Sequence, residues 1–361
     1  MRLRRLDVAD VDWALLDSFR DRTVFQTRAW LDFIAETQRA TPVVAELMDG
    51  TSRVGFFTGL VYSRFGIKML GSAARGWTTV YMGFNLAADV PRTEALRALK
   101  TFAFDDLRCL HVEIIDRSML PADGEALGFS HDDFTGFETD LGPSEDALFS
   151  AMSSACRRCI RKAAKSGVVI EESNDAAGFA ADYYDQLRDV FRKQRLVPPY
   201  SEEHVRTLCR HLLPTGRLLL LRARDGEGTC IATGIFPAIG STAYFWGNAS
   251  YRRHQLLRPN EALHWYAMRY WKARGVRYYD WMGAGRQRDD YKAKYGGRPI
   301  AVPWFFKSRY RTLEHLRAHA RRARRLRQGV GGYFAHLFDS PRDRPESEDV
   351  GSEDTAIATP R

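Results

Sequence analysis

The stretch Cys156–Glu172, CRRCIRKAAKSGVVIEE, places Arg157, Arg158, Arg161, Lys162 and Lys165 on one short helical segment, breaks at Gly167 and enters the β-branched run Val168-Val169-Ile170. A helix handed through a glycine turn to a strand is an α/β junction. Its cationic face can receive phosphates from a coenzyme, a nucleotide-linked sugar or an RNA backbone. It can equally be a solvated helix face. Arg157, Arg161 and Lys162 are the candidate phosphate contacts.

Downstream of this junction the pattern continues as a second α/β unit. SEDALFSAMSSACRRCIRKAAKSG reads as one helix with Ser144 as N-cap and Gly167 as stop. AADYYDQLRDVFRKQRL is a helix ending before Pro198-Pro199, and Ser201 opens the next one. Residues 216–250 read as three strands, turned at Asp225-Gly226 and Gly240-Ser241. ALHWYAMRYWKARG is amphipathic, VRYYDWMG is a strand, and AVPWFF is the last strand after a Gly-rich loop. Upstream, residues 23–140 read as a first unit. FQTRAWLDFIAETQ has helical spacing, and strands are expected at 41–48, 54–63 and 68–70. RTEALRALKTFAFDDL is a helix, CLHVEIID an alternating strand, and LGFSHDDFTGFETDL a closing hairpin. The expected fold class is α/β (α+β), with two tandem domains, each a mixed central sheet flanked by helices. The expected boundaries are 1–143, 144–308, a basic helical extension at 309–339, and a polar, disordered tail at 340–361.

The 361 residues carry net charge +9, which favours acidic partners. Asp7, Asp10 and Asp12 interrupt any signal-peptide core, and no window approaches a membrane span. A cytoplasmic protein is expected, with peripheral placement at the inner face of the membrane left open. Five scattered cysteines suit a reducing compartment, and the lone Cys156/Cys159 pair reads as structural rather than as a metal site. No metal is expected.

Six segments in this order resemble the FemAB-like branch of the GNAT acyltransferase superfamily: FQTRAW, RRCIRKAAKSGVVIEE, FRKQRL, the strands from Leu218 to Ser250, RPNEALHWYAMRYWKARGVRYYDWMG, and YKAKYGG. The resemblance covers roughly residues 23–310. It implies tandem GNAT-like domains and acyl transfer to an amine of a cell-envelope precursor or small metabolite. It also implies a co-substrate rather than a tightly bound cofactor: an acyl-CoA or acyl-carrier thioester, or an aminoacyl-tRNA. The oligomeric state is open.

Such chemistry needs a neutral amine, a stabilised oxyanion and a proton for the leaving group. Asp280 ends an aromatic-rich strand, where α/β sheets place ligands; a capping or turn role is the alternative. Further acid/base candidates in this unit are Asp289, Asp290, His254, His264, Tyr279, Tyr291 and Tyr295. The loop 283–297 combines Gly283, Gly285, Gly296 and Gly297 with Arg286, Arg288, Lys292 and Lys294. It can hold a phosphate or steady an oxyanion, or be a basic surface loop. The resemblance implies an aromatic–lysine pair at the acyl end, matched by Tyr291-Lys292 before Tyr295-Gly296. It also implies a phosphate-binding arginine near Arg192 or Arg195. An acetyl-CoA-binding turn would carry glycines where this chain has RRHQLLRPNEALHW, and Pro259 lacks an N–H that a phosphate can use. Asn260 and Arg258 remain as polar contacts there. The competing reading is a non-catalytic scaffold that binds tRNA or an anionic membrane surface through the basic helix 309–327.

Overall fold

The computed structural model describes residues 1–64, 66–74, 78–193, 196–283, 289–314 and 317. The first half runs β1 (Arg2–Leu6), α1 (Trp13–Asp17), α2 (Arg28–Gln38), β2 (Thr41–Asp49), β3 (Ser52–Arg64), β4 (Ile67–Ser72), β5 (Gly83–Leu86), α3 (Arg92–Thr101), β6 (His111–Ile115), α4 (Pro121–Glu125) and β7 (Ser130–Asp140). The second half begins with α5 (Glu145–Ala151), α6 (Ser154–Lys165), β8 (Val169–Glu172), α7 (Ala176–Lys193) and α8 (Glu202–Leu212). It continues with β9 (Leu218–Arg224), β10 (Cys230–Ile239), β11 (Thr242–Tyr244), β12 (Gly247–Ser250), α9 (Pro259–Ala273), β13 (Tyr278–Gly283), α10 (Asp289–Ala293) and β14 (Arg298–Ser308).

The halves repeat one plan. In each, a long strand (β3 or β10) pairs antiparallel with two consecutive short strands, β4 and β5 or β11 and β12. A helix follows, and the next strand (β6 or β13) lies parallel to the first short strand. That parallel pairing ends at Ser72↔Ile114 in the first half and at Tyr244↔Asp280 in the second. Beyond those residues β5 and β12 stay with β3 and β10, so each sheet splays open there.

The last strands of the two plans are exchanged. β6 pairs with β14, β13 pairs with β7, and β7 and β14 pair antiparallel with each other from Arg298↔Glu138 to Phe306↔Ser130. One sheet results, in the order β1-β2-β3-β4-β6-β14-β7-β13-β11-β10-β9-β8. The sequence of β14 suits its central place: Val302 to Phe306 are buried without interruption, as in a strand covered on both faces. Alternation sends Val302, Trp304 and Phe306 into a core shared with Trp30, Tyr81 and Tyr244, and Phe305 into the first-half core with Leu99 and Phe129.

Several local expectations are corrected. The hairpin expected at 127–141 is the single strand β7, because β13 and β14 supply both its neighbours. The helix expected over 144–166 is two helices. Ser144 caps α5 through the Ala147 N–H, but Ser153 then caps α6 through the Cys156 N–H. Gly167 does end α6, at φ +72°. The third strand of the 216–250 meander breaks into β11 and β12 at the splay. β6 is buried at every position rather than alternating. The boundary expected at 143/144 falls between β7 and α5, while β14 pairs on both edges with first-half strands.

Candidate active site

Asp280 lies at the splay of the second half, and the Phe245 N–H bonds its carbonyl at 2.8 Å. Its side chain is fully buried. Oδ1 accepts the Met282 N–H at 2.6 Å. Oδ2 lies 3.0 Å from Arg117 Nη1, and the same guanidinium binds Glu138 at 2.5 Å and sits over the Tyr81 ring. Arg117 follows β6 and Glu138 lies on β7, so the strand exchange brings a first-half cation to a second-half carboxylate. Burial pushes the Asp280 carboxyl up to about 6, although Arg117, the Met282 N–H and Lys292 all pull it down.

The loop lysine is interior rather than part of a surface loop. Lys292 is 3% exposed, and its Nζ donates to the Met282 carbonyl at 2.7 Å. Met282 is in the left-handed region at φ +55°, an uncommon conformation for a side chain of its size. Tyr295 is buried with its ring 4.6 Å from Trp281, and its hydroxyl donates to Tyr291 Oη at 3.2 Å. Lys294 binds Glu261 at 2.8 Å and lies 3.9 Å from the Tyr291 ring centre. Gly296 turns the chain at φ +77°. The expected group Asp280, Tyr291, Lys292, Lys294, Tyr295 and Gly296 is thus held around β13 and α10. His264 packs beside it, with Nδ1 3.0 Å from Tyr279 Oη, and burial holds its pKa well below the ordinary histidine value.

Other expected contacts stand elsewhere. Arg192 is exposed and pairs with Asp189 at 2.7 Å. Arg195 and Arg286 lie outside the described residues. Arg157 donates to the carbonyls of Ser150 and Met152, tying the end of α5 to α6. Arg161 lies 5.1 Å from the Phe149 ring centre and Lys162 is exposed, so two of the arginines serve local packing. Asn260 donates to Ser250 Oγ at 3.2 Å, while its Oδ1 is buried without a partner. Arg309 and Arg317, from the basic C-terminal segment, pair with Asp105 and Glu113 of the first half. The rest of that segment beyond Glu314, and the tail, lie outside the described residues. Among the described residues, no cluster could hold a metal and no helix is long and apolar enough to cross a membrane. Sequence reasoning missed Arg117 and Glu138, because nothing local marks residues that act only through a distant strand pairing.

The first half's splay is filled by its own side chains. Asp116 Oδ2 accepts the Phe84 N–H of β5 at 2.9 Å and binds Arg92, at the start of α3, at 2.7 Å. Gly83, at φ +97°, gives that carboxylate room: a Cβ there would lie 2.5 Å from Asp116 Oδ2. Gly83→Ala is therefore expected to cost about 3 kcal/mol through overpacking and backbone strain, read as a lowered Tm.

A cavity of about 550 Å³ lies between α2, the segment before β5 and α8. Its walls include Glu36, Gln38, Thr78, Tyr200, Glu203 and His204. Glu36 pairs with Arg210 and His211, clamping α2 to α8. His204 is stacked on Tyr200 and Trp246, and burial lowers its pKa to about 4. The unfolded chain takes a proton near 6.5, whereas the folded chain resists it until about 4. Stability therefore falls as pH drops through this window, by about 3 kcal/mol from this group. His204→Phe should flatten that part of the stability–pH curve, measured by urea melts at stepped pH.

Residues 150–293 match a family model described as "Acetyltransferase (GNAT) domain". Among solved structures, the crystal structure of FemX superposes with TM-score 0.71 at 14% identity, covering 88% of this chain and 99% of that one. A tandem GNAT protein from the clavulanic acid biosynthesis pathway gives TM-score 0.50 at 12% identity, covering 85% and 98%. L-PGS from Bacillus licheniformis gives 0.50 at 10% identity, covering 79% and 93%. No curated protein sequence matches the chain. The second half thus matches a GNAT acetyltransferase domain over residues 150–293, the first half repeats its plan, and the whole chain has the tandem fold seen in FemX.

Proposed function

We propose that the chain transfers an acyl or aminoacyl group to an acceptor amine at the second-half splay, with Asp280 as general base and Lys292 as the cation facing the carbonyl oxygen. The observation that carries this reading is a fully buried carboxylate, raised to about 6, at the residue where β11 and β13 part. A base of that pKa is ionised at neutral pH yet still accepts a proton in the transition state. The amine nitrogen attacks the donor carbonyl and forms the C–N bond. Asp280 takes the proton from that nitrogen. The C–O or C–S bond of the donor breaks, and the proton passes to the departing oxygen or sulfur. The Lys292 ammonium stabilises the negative charge that develops on the carbonyl oxygen.

The donor is a thioester or an aminoacyl ester. FemX-like folding of nearly the whole chain favours the aminoacyl ester, as does Pro259 at the first position of α9, where a pyrophosphate would want an N–H. The filled splay of the first half favours one donor per chain. Purified protein is offered labelled acyl-CoA and aminoacyl-tRNA with a panel of amines. Transfer that disappears in Lys292→Ala is expected. Failure to acylate any amine with either donor, or full activity in Lys292→Ala, overturns the reading.

A further inference from the structure

Three charged residues stand opposite one another across three strands. Asp280 on β13 pairs with Glu138 on β7, and Glu138 pairs in turn with Arg298 on β14. Cross-strand partners share a face of the sheet, so the two carboxylates are neighbours, and like charges in that position repel. Arg298 is exposed and forms no ion pair with Glu138 among the described residues. Arg117 is the cation between the carboxylates, and it does not serve them equally. Its Nη2 donates a hydrogen bond to Glu138 Oε2 at 2.5 Å. Toward Asp280 it makes a charge contact, Nη1 to Oδ2 at 3.0 Å, and Oδ2 accepts no hydrogen bond among the described residues.

The surroundings of Asp280 leave Glu138 as the competitor for that guanidinium. The other charged or titratable groups that act on Asp280 among the described residues are Lys292 of α10, Tyr81 before β5 and Tyr244 of β11. Burial raises both tyrosine hydroxyls far above neutral pH, so they carry no charge there. The Lys292 ammonium is hydrogen-bonded to the Met282 carbonyl. The Asp280 side chain is fully buried, whereas that of Glu138 is 14% exposed and that of Arg117 22%. Solvent therefore reaches Glu138 and Arg117 but not the carboxylate between them and the core.

A hydrogen bond to a carboxylate favours its ionised form and makes it a weaker base, while a nearby negative charge does the opposite. Glu138 acts on Asp280 in both ways: it takes the Arg117 hydrogen bond for itself, and it adds its own charge opposite. We infer that Glu138 is a positioning residue for the acyl-transfer step: by holding Arg117 it keeps Asp280 basic enough to accept a proton near neutral pH. Glu138 touches neither substrate in this role. Arg117 and Glu138 both belong to the first half, whose own splay is filled by Asp116 and Arg92, so the first half gains a part in the chemistry of the second. This rests on the acyl-transfer reading and on Asp280 as its base.

Two readouts on the full chain test it: the pH dependence of kcat/KM, and the carbon-13 titration of the Asp280 carboxyl, assigned by its loss in Asp280→Asn. Glu138→Gln keeps an oxygen for Arg117 but removes the charge. Both the rising limb and the Asp280 titration are expected to move to lower pH, by roughly half a unit or more. Glu138→Asp retains the charge and should stay nearer the wild type in both. Arg117→Gln should move both to higher pH. Destabilisation alone does not shift two variants of one cluster in opposite directions. Should Glu138→Gln not fold, Glu138→Thr is the second neutral variant, with the same expected shift. An Asp280 titration that is unmoved in the neutral variant, or that moves to higher pH, overturns the inference. If the titration moves as expected but the wild type acylates no amine, acyl transfer fails and the hold of Glu138 on Asp280 stands. If the wild type acylates amines and neither the limb nor the titration moves in the neutral variant, the inference fails and acyl transfer stands.

Discussion

Asp280→Asn should lower kcat/KM by roughly 10²–10⁴-fold, the range expected when a general base is removed. The amide keeps an oxygen for the Met282 N–H but cannot take a proton at neutral pH. It also removes one of the two carboxylates that pair with Arg117, a contact at a fully buried carboxylate whose loss costs stability in its own right. A lower Tm is therefore expected alongside the lost activity, and activity alone does not separate base from brace. The pH profile does. With the carboxyl at about 6, kcat/KM of the wild type should rise with pH through that value and level above it. Arg117 pulls the Asp280 carboxyl down, so Arg117→Gln should move the rising limb to higher pH. A purely structural Asp280 would leave the limb where it was in Arg117→Gln, or leave no limb near 6 in the wild type.

Removing β14, by ending the chain after Gly297, should abolish folding of both halves, not of the second alone. β14 fills the sheet between β6 and β7, so its loss strips a ladder from each. It also empties two cores, since Trp304 and Phe306 belong to one and Phe305 to another. Truncating a buried Phe or Trp costs about 3–5 kcal/mol, so three together approach the whole stability of an ordinary domain, about 5–15 kcal/mol. Circular dichroism of the truncated chain should show no cooperative melt. The same exchange predicts that residues 1–143 and 144–361, expressed separately, are each unfolded, and that co-expression restores a folded complex. An independently folding 1–143 fragment would sink this prediction. The milder variant Phe305→Ala should lower stability by about 3–5 kcal/mol in a single transition.

How much of this was legible depends on the range of the forces involved. The helix α8, with its Ser201 cap and apolar stripe, and the end of α6 at Gly167 were readable because these signals act within a few residues, whereas the start of α6 at Ser153 was not. Asp280 and the loop around Lys292 were singled out from residue type and motif order, and the structure places them side by side around β13 and α10. The burial of Lys292 was not legible, because a lysine between glycines carries no local sign of being interior. The break of the meander into β11 and β12 escaped for the same reason: which strand β12 follows depends on its neighbour across the sheet.

The amino-acid sequence by itself determined the α/β class, the two successive units and the longer helices α2, α3, α7, α8 and α9. These follow from periodicity, capping and turn chemistry, which are local. Only the tertiary structure decided that β7 and β14 change places and that Arg117 of one half meets Asp280 of the other. It alone shows that Asp116 and Arg92 fill the first splay while a polar cavity remains between the halves. Strand pairing is set by hydrogen bonds and burial between segments far apart in the chain. No short window of residues carries that information.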